Sequence, residues 1–287
     1  MARTSKAAAA PRYTPPALPA PEAGPVAVTR GMIPTSTCAQ ARVRLYQPTQ
    51  RPTPRTGAWQ VTPWGRCRVT GRLGQRHADI IEALLYHAEA VQQTTDGALY
   101  IVIDPARVRR TISGSGYSGG RLDALLREIM GAVVEIETER GRVLGHLIDE
   151  VVEAKARRRN PLAAHGAAAE RALMRVRIGA VAAALISTDL HLHYDPAPIA
   201  ALGSGTAQAL ARHVLTHSGE PRGGWRLDAL LEAVGIEGTQ AVRDARRSVR
   251  RDADGLAVLG IIIEADRVRR RGAAGTLPAV PAQEPGL

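Results

Sequence analysis

Phenylalanine is absent from this 287-residue chain, and aromatic residues together make up only 3% of it. A core built without them must rest on Leu, Ile, Val and Ala. Such a core suits helices and short strands better than an aromatic-rich sandwich or barrel, and 45% hydrophobic residues suffice to fill one. Cysteine is almost missing as well. Cys38 and Cys67 stand far from any CxxC or CxxH spacing, so neither a disulfide framework nor a zinc site is expected, and the expected compartment is a reduced cytoplasm. No apolar run approaches the roughly 18–20 residues of a membrane span. The residues after Arg3 and Lys6 are Ala and Pro, without the apolar segment of a secretory signal, so neither export nor a membrane partner is expected. A Walker A motif is lacking, as is any carboxylate cluster spaced for a metal-dependent nuclease. No metal and no cofactor is expected.

Lysine is the last scarcity, with Lys6 and Lys155 alone. Positive charge is therefore carried by arginine, in a total of 38 Lys+Arg against 27 Asp+Glu, a net charge of +11 and a pI near 10.6. Such a surplus favours a polyanionic partner, because each cation placed on a phosphate releases condensed counterions. A GC-rich genome, rich in Ala, Gly and Arg codons, produces the same composition. The placement of the arginines therefore matters more than their number.

Along the chain, residues 1–60 are rich in Pro, Ala, Thr and Arg with no apolar periodicity, which predicts a disordered or extended arm. A flexible tail is expected over 272–287. Around 154–169 a basic cluster, an Asn-Pro and a Gly form either a linker or the foot of a hairpin. Taken as a linker, it leaves two α+β domains, 61–155 and 170–271. In the first, Arg68–Arg72 predicts a strand, His77–Val91 a helix and Leu99–Ile103 a short strand. Asp104-Pro105 is a strong helix start, with Asp as N-cap and Pro at the first position, and this helix runs to Ile112. The loop SGSGYSGG then leads to a helix over Arg121–Met130. Strands at Val133–Thr138 and Val143–Val152 flank the basic turn Glu139–Arg142. Helix, turn, amphipathic helix and hairpin are, in that order, a winged helix-turn-helix.

The second domain repeats the order. Met174–Ile178 and Leu190–Tyr194 are expected to pair as strands, Asp195-Pro196 to start a helix, and Thr206–Thr216 to form a long one. Trp225–Val234 is the first helix of the motif, closed by Gly235. Thr239 is the expected N-cap of the next helix, Gln240–Asp254, and Leu259–Ile263 with Arg267–Arg270 form the hairpin. RLDALL occurs at 121–126 and 226–231 but falls in different helices of the two motifs, so it is no repeat.

The segment from Thr239 to Leu256 carries the most chemistry. At about 100° per residue, Arg243, Arg246, Arg247, Arg250 and Arg251 share one arc, while Val242, Ala245, Val249, Ala253 and Leu256 share another. One face packs. The other presents guanidiniums, which read guanine edges bidentately and also grip phosphate. A solvated basic face on a surface helix is the alternative. Thr239 and Gln240 would begin this surface, and Arg267, Arg269 and Arg270 would extend it along the hairpin. In the first domain, Ser118 and Arg121 would start the second helix near phosphates.

The loop Gly114–Gly120 also matches GxGxxG and GxSxG. The nucleophile elbow needs a buried strand directly upstream of Ser118, and the dinucleotide fingerprint needs the same plus an acidic residue about 20 positions on. The upstream residues 107–111 read as a charged helix instead, so no enzyme is expected, a hydrolase at Ser118 being the alternative. His213 and His217 lie four apart on one helix, but Val214 stands where a zinc-protease motif has Glu. These two, with His191 and His193, are expected to be packing or surface residues.

Taken together, ARVRRTISGSGYSGGRLDALLREIMGAVVEI, the RGRVLGHLIDEV hairpin, VRIGAVAAALI, LHYDPAPIAALGSGTAQALARHVL and RRSVRRDADGLAVLGI resemble plasmid replication initiator (Rep) proteins. The likeness is to the RepC initiators of IncQ-type plasmids and, more distantly, to the TrfA group, over roughly Thr70–Arg271. It implies two tandem winged-helix domains that bind directly repeated origin sequences (iterons) in double-stranded DNA, open adjacent AT-rich DNA and recruit the replicative helicase. It further implies that the second domain reads bases, with Arg243, Arg246, Arg247 and Arg250 matching the basic recognition helix. The first domain would contact backbone and mediate a homodimer off DNA. Asp244 stands where the family pattern can be basic. No QLxLF-like clamp-binding peptide is present. A winged-helix transcriptional regulator is the competing function, and two tandem modules without a sensor domain favour the initiator.

Overall fold

A computed structural model describes residues 26–27, 33–94, 98–113, 117–139, 141–158 and 171–271. Half of the expected arm (1–25 and 28–32), the loop residues 114–116, Arg140 of the basic turn, residues 159–169 of the expected break and the tail 272–287 lie outside the described residues. The chain is a mixed α+β structure. Its elements are β1 (Val26–Ala27), β2 (Ser36–Thr37), α1 (Cys38–Arg42), β3 (Arg55–Thr56), β4 (Gln60–Thr62), β5 (Gly65–Gly71), α2 (Gln75–Tyr86), β6 (Ala90–Gln93) and β7 (Leu99–Ile103). Then come α3 (Pro105–Ile112), α4 (Gly119–Gly131), β8 (Val133–Thr138), β9 (Gly141–Gly145), β10 (Ile148–Arg158), β11 (Arg171–Ile178), α5 (Ala180–Thr188) and β12 (His191–Leu192). The last part holds α6 (Ala197–Ala200), α7 (Gly205–Leu215), β13 (Trp225–Arg226), α8 (Leu227–Ala233), α9 (Thr239–Arg251), α10 (Ala253–Val258), β14 (Ile261–Glu264) and β15 (Arg267–Arg270).

Two hydrophobic cores divide these elements. The first runs from Ala39 to Leu185, the second from Ile199 to Val268. The division therefore falls after α5, later than the break expected at 154–169. β10 and β11, which flank the undescribed part of that break, are antiparallel partners, with Val151 opposite Val176 and Glu153 opposite Met174. The alternation of Met174, Val176 and Ile178 buries one face of β11 in the first core, and its other edge pairs with β7. β12 pairs with β2, where His191 lies opposite Thr37, and leaves β11 without the expected partner.

Strand pairing in the first half also departs from the expected module. β7 sits inside a sheet ordered β1-β6-β7-β11-β10, whereas the β8–β9 hairpin joins β3, β4 and β5 in a second sheet. The apolar run LYIVI of β7 suits an interior strand, and Cys67 and Val69 of β5 give Val134 and Ile136 of β8 a buried face to match. The helices follow local chemistry more closely. Asp104 caps α3 by accepting from the Ala106 N–H at 2.8 Å, with Pro105 in the first turn.

Residues 33–60 correct the expected arm. Val43, Leu45 and Tyr46 are buried in the first core, and two arginines beside them reach the second domain. Arg42 donates to the Thr216 carbonyl (2.7 Å) at the end of α7, and Arg44 to the Ala233 carbonyl (3.1 Å) at the end of α8. Each guanidinium thus sits at the negative end of a helix dipole and pairs carbonyls that the helix leaves open. Trp64, in the β4–β5 turn, packs edge-on against His213 of α7 with ring centres 5.3 Å apart.

A buried ionic cluster holds α2 against α7. Arg212 contacts Glu82 through Nε and Nη2 (both 2.8 Å), Asp79 through Nη2 (2.7 Å) and Gln75 through Nη1 (2.7 Å). Gln208 donates to Asp79, Arg76 pairs with it at 3.1 Å, and the Tyr194 hydroxyl donates to Glu82 at 2.6 Å. Arg212, Asp79, Glu82, Gln75 and Gln208 are all buried. Every charge in the cluster faces an opposite charge, the condition under which buried ions are tolerated. Among the described residues, no helix is long and apolar enough to cross a membrane.

Candidate nucleic-acid interface

The second core supports one strongly basic helix. α8 ends at Ala233 with Val234 as its C-cap, after which Gly235 (φ +93°) donates to the Glu232 carbonyl and Ile236 to the Leu231 carbonyl, each at 2.9 Å. These two bonds form a Schellman stop, which needs glycine at the left-handed position. Gly238 (φ +87°) then precedes α9 and occupies the N-cap, so the expected cap, Thr239, is the first helical residue. α9 ends at Arg251, earlier than expected, because Asp252 turns back to α7. Its carboxylate accepts from the Gly203 and Ser204 N–H groups and from the Ser204 hydroxyl. A carboxylate at that helix start satisfies open N–H groups and favours the dipole. The break fixes the end of α9 against α7.

Ala245 and Val249 are the buried residues of α9, with Val242 half-buried. Thr239, Gln240, Arg243, Asp244, Arg247, Arg250 and Arg251 are exposed. The five arginines that share one arc in sequence separate into roles. Arg246 makes a two-point ion pair with Asp228 of α8, through Nε at 2.7 Å and through Nη2, so its fork is spent on bracing the two helices. That pairing holds the Asp228 carboxyl below the usual carboxylate range. Arg250 donates to the Ala265 carbonyl (3.1 Å) in the β14–β15 turn and so ties helix to hairpin. Arg247 pairs with Asp244 on its own helix. Arg243 and Arg251 make no hydrogen bond or ion pair among the described residues.

The hairpin lies beside this helix. β13, β15 and β14 form a three-stranded antiparallel sheet in that order, with Val268 buried and Arg267 and Arg269 exposed. Its two-residue turn holds Ala265 at φ +53°, a conformation usually given to Gly or Asn. Arg269 pairs with Glu264 at 3.2 Å, and the Arg270 guanidinium donates to the His217 carbonyl. Arg267 remains outward. Opposite it on β13 stands Arg226, also exposed. Like charges directly across a ladder repel, so the pair favours an anion over that end of the sheet. Arg226 was not among the residues singled out from sequence, because a two-residue strand ahead of a helix leaves no periodic signal. Asp228 was missed for a related reason, its partner Arg246 lying 18 positions away on another helix.

The two first-domain candidates stand apart from this group, on the other core. Ser118 caps α4, its hydroxyl accepting from the Arg121 N–H at 3.3 Å, and Arg121 is exposed. The described element upstream of Ser118 is the helix α3. His213 is buried on α7, with Nε2 3.4 Å from that of His217, and no metal-binding group of three side chains occurs among the described residues.

No family model matches the chain, and no curated protein matches it in sequence. Among solved structures, domains 2 and 3 of RctB align over 82% of this chain and 96% of that one, at 11% identity and a TM-score of 0.47. A likeness of that degree carries no argument.

Proposed function

We propose that the chain is a DNA-binding replication initiator of the plasmid Rep kind, and that its second domain is a winged helix whose α9 enters the major groove. The observation that carries this is the exposed face of α9, where Arg243, Arg247 and Arg251 point away from the core between a glycine-bounded turn and a hairpin bearing Arg267. The order α7, β13, α8, α9, β14, β15, with β15 central in its sheet, suits a helix-turn-helix with one wing. Guanidiniums at the helix centre suit base edges, and those on the wing suit phosphate. The initiator role rests on the sequence resemblance. So do origin opening, helicase recruitment and a homodimer off DNA.

Footprinting of the full chain on the DNA flanking its own gene tests this reading. Protection at several direct repeats, spaced by about two helical turns beside AT-rich DNA, is the expected result. Protection of one palindrome at a promoter would make the protein a transcriptional regulator. No protection at any duplex would remove DNA recognition altogether.

A further inference from the structure

Asp244 is the one acidic residue of α9, whose sequence TQAVRDARRSVRR otherwise carries five arginines. It is exposed, on the side away from Ala245 and Val249. A carboxylate there meets phosphate with the wrong sign and weakens the grip on every duplex, whatever its sequence. Its contacts show what it does instead. The Gln240 amide nitrogen donates to both Asp244 oxygens at 3.2 Å, and Arg247 donates to Oδ1 through Nη2. Arg247 first, and Gln240 second, hold the carboxyl below its usual range, so it remains charged through neutral pH.

The atoms that stay free matter most. Arg246 spends both Nε and Nη2 on Asp228, which leaves little of its fork for a ligand. Arg247 gives Asp244 one N–H of Nη2, so the other Nη2 hydrogen, with Nη1 or with Nε beside it, is left as a fork to meet a guanine at O6 and N7. Gln240, with its nitrogen committed to Asp244, has its carbonyl oxygen left to accept from an amino group, on adenine N6 or cytosine N4. A long side chain held in one pose loses less freedom on binding than a free one.

We propose that Asp244 is a positioning residue for base readout: it presets Arg247 toward a guanine and Gln240 toward a neighbouring amino-bearing base, at the expense of general affinity. The proposal deepens the reading of α9 as a recognition helix and rests on it.

Selection from a randomised duplex library, run in parallel with the wild type, Asp244→Ala, Asp244→Glu and Arg247→Ala, tests it. The wild type is expected to select a motif with a guanine beside an amino-bearing base. Arg247→Ala should lose the guanine alone. Asp244→Ala should bind the unselected library at least as tightly as the wild type, yet lose preference at both positions. Discrimination against a substituted guanine should fall about tenfold. Asp244→Glu, which keeps the charge, should recover part of that preference. If Asp244→Ala selects the wild-type motif with undiminished discrimination, the positioning role is overturned while the recognition helix stands. If the wild type itself selects no motif, the recognition helix fails, and the positioning role with it.

Discussion

Helices α4 and α9 each lie upstream of a hairpin, each is 13 residues long, and they share almost nothing else. α4 buries Leu122, Leu125, Leu126 and Ile129, and its two arginines are matched by Asp123 and Glu128. α9 buries two small side chains, Ala245 and Val249, and sets five arginines against one aspartate. Four large apolar anchors make α4 part of the scaffold. Two small ones leave α9 shallowly seated, with most of its surface available to a ligand. A similar position in the chain order therefore does not imply a similar role, and the difference supports the proposal that recognition lies in the second domain.

Arginine divides the same way, between Arg212, buried among carboxylates, and Arg243, exposed and free. Arg212→Met sharpens that contrast most. It strands Glu82 in the interior without its cation and leaves Asp79 with Arg76 alone, and the expected loss is about 3–5 kcal/mol of stability. Urea unfolding measures it, and an unchanged midpoint would show that the cluster does not join the domains. Arg243→Ala, by contrast, should leave the unfolding midpoint where it is.

His213 gives a smaller effect at the same boundary. Burial first, then the nearby charges of His217 and Arg42, push its pKa down to about 4. The unfolded chain, with an ordinary value near 6.5, takes up the proton first. Stability is therefore intact above about pH 6.5 and falls as the pH drops toward 4, by about 3 kcal/mol over that window. Unfolding of the wild type and of His213→Gln across that range should show a shallower acid slope in the variant. Equal slopes would mean that His213 is protonated in the fold.

What the sequence made legible was local. Asp104-Pro105 announces α3 because cap and first turn are adjacent residues, and the arginine arc of α9 follows from helical spacing alone. What stayed hidden depends on partners far along the chain. β11 joins β7 and β10 instead of β12, a choice no single strand encodes. Residues 33–60 lack periodicity because Val43, Leu45 and Tyr46 are covered by other segments, and Arg42 and Arg44 act on helix ends more than 170 positions away. Arg246 shares the arginine arc in sequence, and its ion pair with Asp228 stayed hidden because that partner is on a neighbouring helix. One hidden feature had left a trace. Gln208 and Arg212 occupy the apolar side of α7, as Asp79 and Glu82 do on α2, and polar residues on two core-facing arcs predict a buried pairing.

The central claim is that α9, and not α4, holds the nucleic acid. The salt dependence of duplex binding by the full chain tests it most directly, comparing Arg243→Ala/Arg247→Ala/Arg251→Ala in α9 with Arg121→Ala/Arg127→Ala in α4. Each lost phosphate or groove contact should lower the slope of log affinity against log salt by about one. The α9 variant is expected to lose about three units of slope and its preference for the cognate site, while the α4 variant keeps both. A full loss in the α4 variant, with the α9 variant binding like the wild type, would contradict the account.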